Sequence, residues 1–265
     1  MAVVMSQEEL AYLLRLNGRK EIRAAALDLA EGNPQLEAAL YGAAERTLRA
    51  RGWIVADGDT LSIEKTVIGT VGFCASAPYT LAVRRTPVGD MPAEGRAFHL
   101  SPALQIVHSA SQGIHVFDVV EGHPTHAIMD AMHGGVGVED LPGRTPILDI
   151  PLDLLIIAAG AARKDDLSDS GVIRLLTDSG ATPDAASALT ALYRGDWLAT
   201  VSLGIWSPGD EGDNYSPLDL LQGRSGWWIL LPSGGAGRVN VQPASLGDVQ
   251  TIIDQAVNTA TTAAS

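Results

Sequence analysis

All six histidines of the chain, His99, His108, His115, His123, His126 and His133, fall between positions 99 and 133. In the helix that the pattern predicts near Pro124 to Met132, His126, Asp130 and His133 stand at i, i+4 and i+7, which places three potential ligands on one face. His123 sits one turn earlier, where Pro124-Thr125 makes it a turn or N-terminal residue. Imidazole and carboxylate groups so arranged hold Zn²⁺ or a comparable ion, so one reading is a metal-dependent enzyme using His123, His126, Asp130 or His133. The spacing works against a single shell. Ligands seven residues apart lie about 10 Å apart on a helix rising ~1.5 Å per residue, so one ion reaches neighbours but not all three. There is no H-E-x-x-H, and no second His/Cys cluster completes a tetrahedron. The plainer alternative is a set of structural or surface histidines.

Other chemistries find less support. Gly134-Gly135-Val136-Gly137 has no helix after it, and Gly234-Gly235-Ala236-Gly237 falls in a hairpin. Neither carries the Lys-Ser/Thr of a phosphate loop, so both read as turns. No G-x-S-x-G elbow activates a serine. Asp165-Asp166 and Asp210-Glu211-Asp213 read as solvated loops without EF-hand spacing. Cys74, the single cysteine, lies in the apolar run Val71 to Ala75. It reads as a buried hydrophobe in a reducing compartment, and it excludes an intrachain disulfide. No catalytic motif and no cofactor site emerge, so a non-enzymatic role is the expectation.

Three tryptophans are candidates for contact with another protein. Trp227 and Trp228, neighbours on a predicted strand, face opposite sides of a sheet, so one is core and the other is covered by a helix or open to a partner. Trp206 precedes a stretch, Ser207 to Ser225, that reads as a long polar loop.

The elements that position these groups are mixed. Ser6-Gln7-Glu8-Glu9 is a capping box opening a helix with Leu10, Leu13 and Leu14 on one face. A second helix near Leu36 to Arg51 precedes a period-two hairpin, Trp53-Ile54-Val55 and Leu61-Ser62-Ile63 around Asp57-Gly58, giving a wing-like start. Strands are expected at Tyr79 to Arg85, Arg96 to Leu100, Leu104 to His108 and Ile114 to Val120, and the Gly/Pro-rich run Gly134 to Pro146 reads as a linker. Beyond it come helices near Leu152 to Arg163, Ser170 to Asp178 and from Pro183, a strand from Trp197 to Trp206, a hairpin of Trp227 to Leu231 with Arg238 to Gln242, and a closing helix capped at Ser245.

Composition bounds the partners. With 265 residues, 46% of them hydrophobic, the chain can bury a large core without disulfides or metals. A formal charge of −13 leaves no basic footprint for nucleic acid or anionic membrane, and a regulatory winged-helix reading suffers for the same reason. No segment reads as a secretory signal, and Ile150 to Ala162 is too short for a bilayer, so the cytoplasm is the expected compartment.

Leu104–Met132 aligns without gaps on Trp228–Ala256 at a constant offset of 124, matching Ser109 with Ser233, Gly113 with Gly237 and Asp130 with Asp254. Both stretches read as hairpin then helix. The expectation is an α+β fold of two pseudo-symmetric halves formed by internal duplication, 1–140 and 141–265, packed as one compact unit.

Trp227-Trp228-Ile229-Leu230-Leu231-Pro232, Gly237-Arg238-Val239-Asn240-Val241-Gln242-Pro243 and the capped helix from Ser245 to Val257 are similar to the C-terminal signature of the EspG family. The opening helix, the helix-to-wing passage at Leu48 to Trp53 and the duplicated layout resemble it too. EspG proteins are cytosolic chaperones of type VII (ESX) secretion. The resemblance implies a central antiparallel β-sheet with helical bundles and quasi-two-fold symmetry. It also implies that the chain holds the apolar tip of a helical, PPE-like secretion substrate.

Overall fold

A computed structural model describes residues 2–25, 27, 33–57, 60–135, 148–209, 212–233, 235 and 237–262. The chain opens with strand β1 (Val3–Ser6) and helix α1 (Gln7–Leu16). The capping box closes as expected, with Glu9 N–H donating to Ser6 Oγ at 3.2 Å and Ser6 N–H to the Glu9 carboxylate at 2.9 Å. Helix α2 (Pro34–Ala50) leads into the wing, β2 (Ile54–Asp57) and β3 (Thr60–Ile63), a two-stranded sheet by itself. Gly58 of its turn lies outside the described residues. Helix α3 (Lys65–Ser76) follows, then β4 (Tyr79–Pro87), β5 (Glu94–Leu100), β6 (Gln105–Ser111), β7 (Ile114–Val119) and helix α4 (Pro124–His133). The second half comprises β8 (Leu148–Pro151), α5 (Leu152–Arg163), α6 (Asp169–Asp178), α7 (Pro183–Ala191), β9 (Trp197–Gly209), β10 (Gly212–Gly223), β11 (Gly226–Pro232), β12 (Arg238–Ala244) and α8 (Leu246–Thr262). A π-helical turn, Leu192–Asp196, joins α7 to β9.

Ten strands form one antiparallel sheet in the order β1-β7-β6-β5-β4-β9-β10-β11-β12-β8. The fold is α+β, as expected. From the central pair β4/β9, each wing of the sheet runs outward through three consecutive strands and ends on a strand that precedes them in the chain. The two aligned stretches form β6-β7-α4 and β11-β12-α8. Gly113 and Gly237, which open the second strand of each hairpin, have φ of +75° and +72°, the left-handed geometry that favours glycine. The linker expected from Gly134 to Pro146 falls mostly outside the described residues.

Period-two alternation separates the faces of the sheet. One face carries Leu81, Phe98, Leu203, Leu220, Trp227 and Ile229, sealed by α4 and α8 into a single core. Thr125 Oγ1 donates to the Asp254 carboxylate at 2.6 Å and ties those two helices together. The other face carries two separate lobes. Val3, Met5, Ile106 and Phe117 pack under α1, α2 and α3 at one end. Leu148, Ile150, Leu221, Trp228 and Val241 pack under α5, α6 and α7 at the other.

One expectation is corrected. Ser207 to Ser225 is not a loop but most of a long hairpin. Gly212–Gly223 pairs with β9 from Gly209 back to Trp197, because Leu218 and Leu220 alternate with polar residues and anchor the strand in the main core. The apolar run around Cys74 belongs to helix α3, whose Val67, Val71 and Cys74 recur at helical spacing and are all buried.

Candidate functional site

Between the two lobes the second face of the sheet lies bare. Its floor is built from small residues that the register brings together. Ala82 sits between Ala97 and Gly204, and Arg84 sits between Gly95 and Ser202. The resulting groove, of about 580 Å³, is closed at one end by Trp206 and Tyr215, whose ring centroids lie 4.7 Å apart. Both rings lie over Gly204. A Cβ there would stand 2.9 Å from the indole and 3.0 Å from the phenol ring, so only glycine allows this aromatic pair to fold down. Trp206 is partly exposed at a wall of the groove.

An apolar cleft of about 420 Å³ opens beside this groove, between α5 and the sheet, and Leu152, Ile156, Trp197 and Leu230 are among its walls. Helix α5 buries Leu155, Ala158, Ala159 and Ala162 and turns Ile156 (63% exposed) and Ile157 (53%) outward. Two adjacent isoleucines on the solvent side of a helix form the kind of apolar surface that marks interaction sites. Tyr193, at the back of this cleft, is buried with no hydrogen-bond partner for its hydroxyl among the described residues, and burial raises its pKa.

The tryptophan pair lies elsewhere than a partner could reach. Trp227 is fully buried in the α4/α8 core, and Trp228 is buried beneath α5 to α7. The two side chains do take opposite faces, but helices cover both faces at β11, so neither presents surface.

The histidines divide into two groups. His126, Asp130 and His133 line one shallow cleft between α4 and α8 with Met129, Leu246 and Gln250. Among the described residues no group of three or more His, Cys, Asp or Glu side chains is placed to hold a metal ion. The ring of His133 instead meets the edge of Trp227 at 5.4 Å. His123 is the N-cap of α4 without a side-chain capping bond.

The other three were not anticipated as a group. His99, His108 and His115 run diagonally across β5, β6 and β7, all buried. A hydrogen bond of 3.2 Å joins Thr80 Oγ1 to His99 Nδ1, and one of 2.9 Å joins His108 Nε2 to His115 Nδ1. His108 also stacks on Phe117 at 4.3 Å. Burial pushes His99 and His108 down to about 3, with further lowering from Arg23 on His99 and from the neighbouring imidazoles on His108. Burial lowers His115 as well, against the pull of Glu8. Among the described residues His99 Nε2 and His108 Nδ1 have no hydrogen-bond partner. The signal was present in the sequence: each of the three sits in an apolar strand with a period of two. Cys74 is buried, and burial raises its thiol pKa, which leaves it a core residue and not a nucleophile.

No family model matches the chain, and no curated protein matches its sequence. Among solved structures, the chain is similar to the Mycobacterium tuberculosis type VII secretion system chaperone EspG5 in its complex with a PE25–PPE41 dimer. The TM-score is 0.62 at 14% identity, over 98% of this chain and 95% of that one. The fold is EspG-like.

Proposed function

We propose that the chain is a non-enzymatic chaperone or adaptor that grips the tip of a helical, PPE-like secretion substrate in the cytosol. The observation that carries this reading is the bare strip of sheet between two helical lobes, with the exposed Ile156 and Ile157 of α5 at its border. A helix end fits such a strip, because alanine and glycine in the floor let a backbone approach closely while large apolar side chains enter the neighbouring cleft. The EspG-like fold supports the reading, since the EspG5 it resembles was solved with a PE25–PPE41 dimer. No helix among the described residues is long and apolar enough to cross a membrane. The matching order of elements in residues 1–140 and 141–265 supports descent from a duplicated half, which would give the strip its place on the pseudo-two-fold axis. The metal-dependent alternative gains nothing from the cleft at His126, Asp130 and His133.

The test is co-expression with PPE-type helical proteins from the same genome, followed by size-exclusion chromatography. Complex formation that is lost in Ile156→Asp/Ile157→Asp, with an unchanged melting midpoint for the variant alone, is the expected result. Absence of a complex with every such protein would overturn the reading.

A further inference from the structure

The bare strip and the cleft beside it carry cationic side chains on a chain that is acidic overall. The chain carries −13 overall, yet among the described residues its groove and cleft present three exposed arginines, Arg84, Arg96 and Arg163, without an ion-pair partner, and two of them stand on the floor and wall that a client would meet. Arg84 rises from the groove floor between Gly95 and Ser202, whose side chains are too small to cover it. Arg163, in the last turn of α5, lines the apolar cleft and is held only by the Trp197 ring, 5.5 Å from its guanidinium carbon. Among the described residues neither Arg84 nor Arg163 makes an ion pair or a hydrogen bond, so both guanidinium groups are available to a partner, unlike those of Arg23, Arg194 and Arg238. The nearby acids do not answer them. Asp219, in the cleft, already accepts a hydrogen bond of 2.5 Å from Ser202 Oγ, and Glu94 shares its end of the groove with Arg96.

We infer that this surface selects a helix tip bearing acidic residues beside its apolar ones, with Arg84 and Arg163 as the specificity-determining residues. The inference rests on the proposed grip and adds the sign of the charge. A strongly acidic body repels acidic partners at long range, so a locally positive strip flanked by apolar walls admits such a tip in one place only. Like charge elsewhere on the acidic body rejects a misplaced acidic tip, and the arginines reject a basic tip at the strip itself. Arginine suits this role because its planar fork engages a carboxylate in two bonds and its stem packs on apolar floor.

The probe is a displayed two-helix hairpin with six randomised residues at its tip, selected against the full chain and against Arg84→Glu/Arg163→Glu. On the wild type, winning tips are expected to combine large apolar residues with Asp or Glu. On the variant, Lys and Arg should replace those acids. The best wild-type tip should bind the variant at least about tenfold more weakly, and changing its acids to lysine should restore binding. Both arginines are exposed, so an unchanged melting midpoint shows that the variant is folded. Winning tips without acids, or equal affinity for the two proteins, would overturn the charge selection and leave the grip standing. Failure of any tip to enrich on either protein would overturn both.

Discussion

The buried histidine array makes a stability prediction whose sign and window follow from its environment. His99 and His108 are held down to about 3 in the folded chain, mainly by burial, against an ordinary value of about 6.5 in an unfolded one. Below pH 6.5 the unfolded chain takes up protons that the folded chain refuses, so stability is complete above that pH and falls as pH drops toward 3. At pH 5.5 each group costs RT ln(1 + 10), about 1.4 kcal/mol, so the pair removes about 3 kcal/mol relative to pH 7.5. That is a large share of the 5–15 kcal/mol typical of a folded domain. Glu45, Glu64 and Asp149 are lowered by their partners and titrate below this window, whereas His115, also lowered by burial, adds to the loss in the same direction. Urea unfolding at pH 7.5 and 5.5 reads the loss. His108→Phe keeps a flat ring on Phe117 and removes one titrating site, so its loss should shrink by about 1.4 kcal/mol. A wild type equally stable at both pH values, or a variant with the same loss as wild type, would refute the argument.

Two further outcomes follow from the packing. Arg194 binds the carboxylates of Asp165 and Asp169 and the carbonyls of Ala162 and Leu167, clasping the α5–α6 turn to the π-helical turn; Arg194→Ala should destabilise by about 1–3 kcal/mol in urea unfolding. Gly134 ends α4 at φ +59° with the Arg85 guanidinium 2.6 Å from where a Cβ would stand, so Gly134→Ala should lower the melting midpoint and cost at least about 1 kcal/mol, more than strain alone in an open turn.

Much of this fold was legible because its local signals agree with its tertiary demands. Ser6 and Glu9, Thr182 with Pro183, Ser245 with Asp248, and Gly134 after α4 each satisfy a helix end with their own side chain or backbone, and each was readable as spacing. What escaped had local signals that pointed elsewhere. Helix α3 is rich in β-branched residues and glycine, which favour other conformations, yet its Gly72 serves the packing. A Cβ there would meet the Asn17 side chain at 2.7 Å, so glycine lets α3 close against the end of α1. In β10, Pro217 and Asp219 read as loop, although the register places both on the bare face, where a partner strand and not a packed core fixes the backbone. The candidate site was the least legible part. A groove floor of Ala82, Ala97 and Gly204 arises from two consecutive strands and a third from the other half of the chain, and no spacing within one segment announces it. Trp206 stood out as a residue type; the glycine that gives it a place to lie did not.

The unequal faces of the sheet resolve a difficulty that the proposed function raises. A protein that must wait for an apolar client needs an apolar site, and an open sheet face of leucine and valine would draw other copies together. Here the large side chains are spent on the sealed face, under α4 and α8. The open strip between the lobes is floored with alanine, glycine and serine, which expose little apolar area, and crossed by the charge of Arg84. Its hydrophobic drive is consequently small. The affinity for a client must come from the border, where Ile156, Ile157 and the cleft beside them offer area that a second copy of this acidic chain is repelled from reaching. On this argument, filling the floor is worse than emptying the border: a bulky residue at Ala82 would deny the strip to a helix, whereas loss of one isoleucine only weakens its hold.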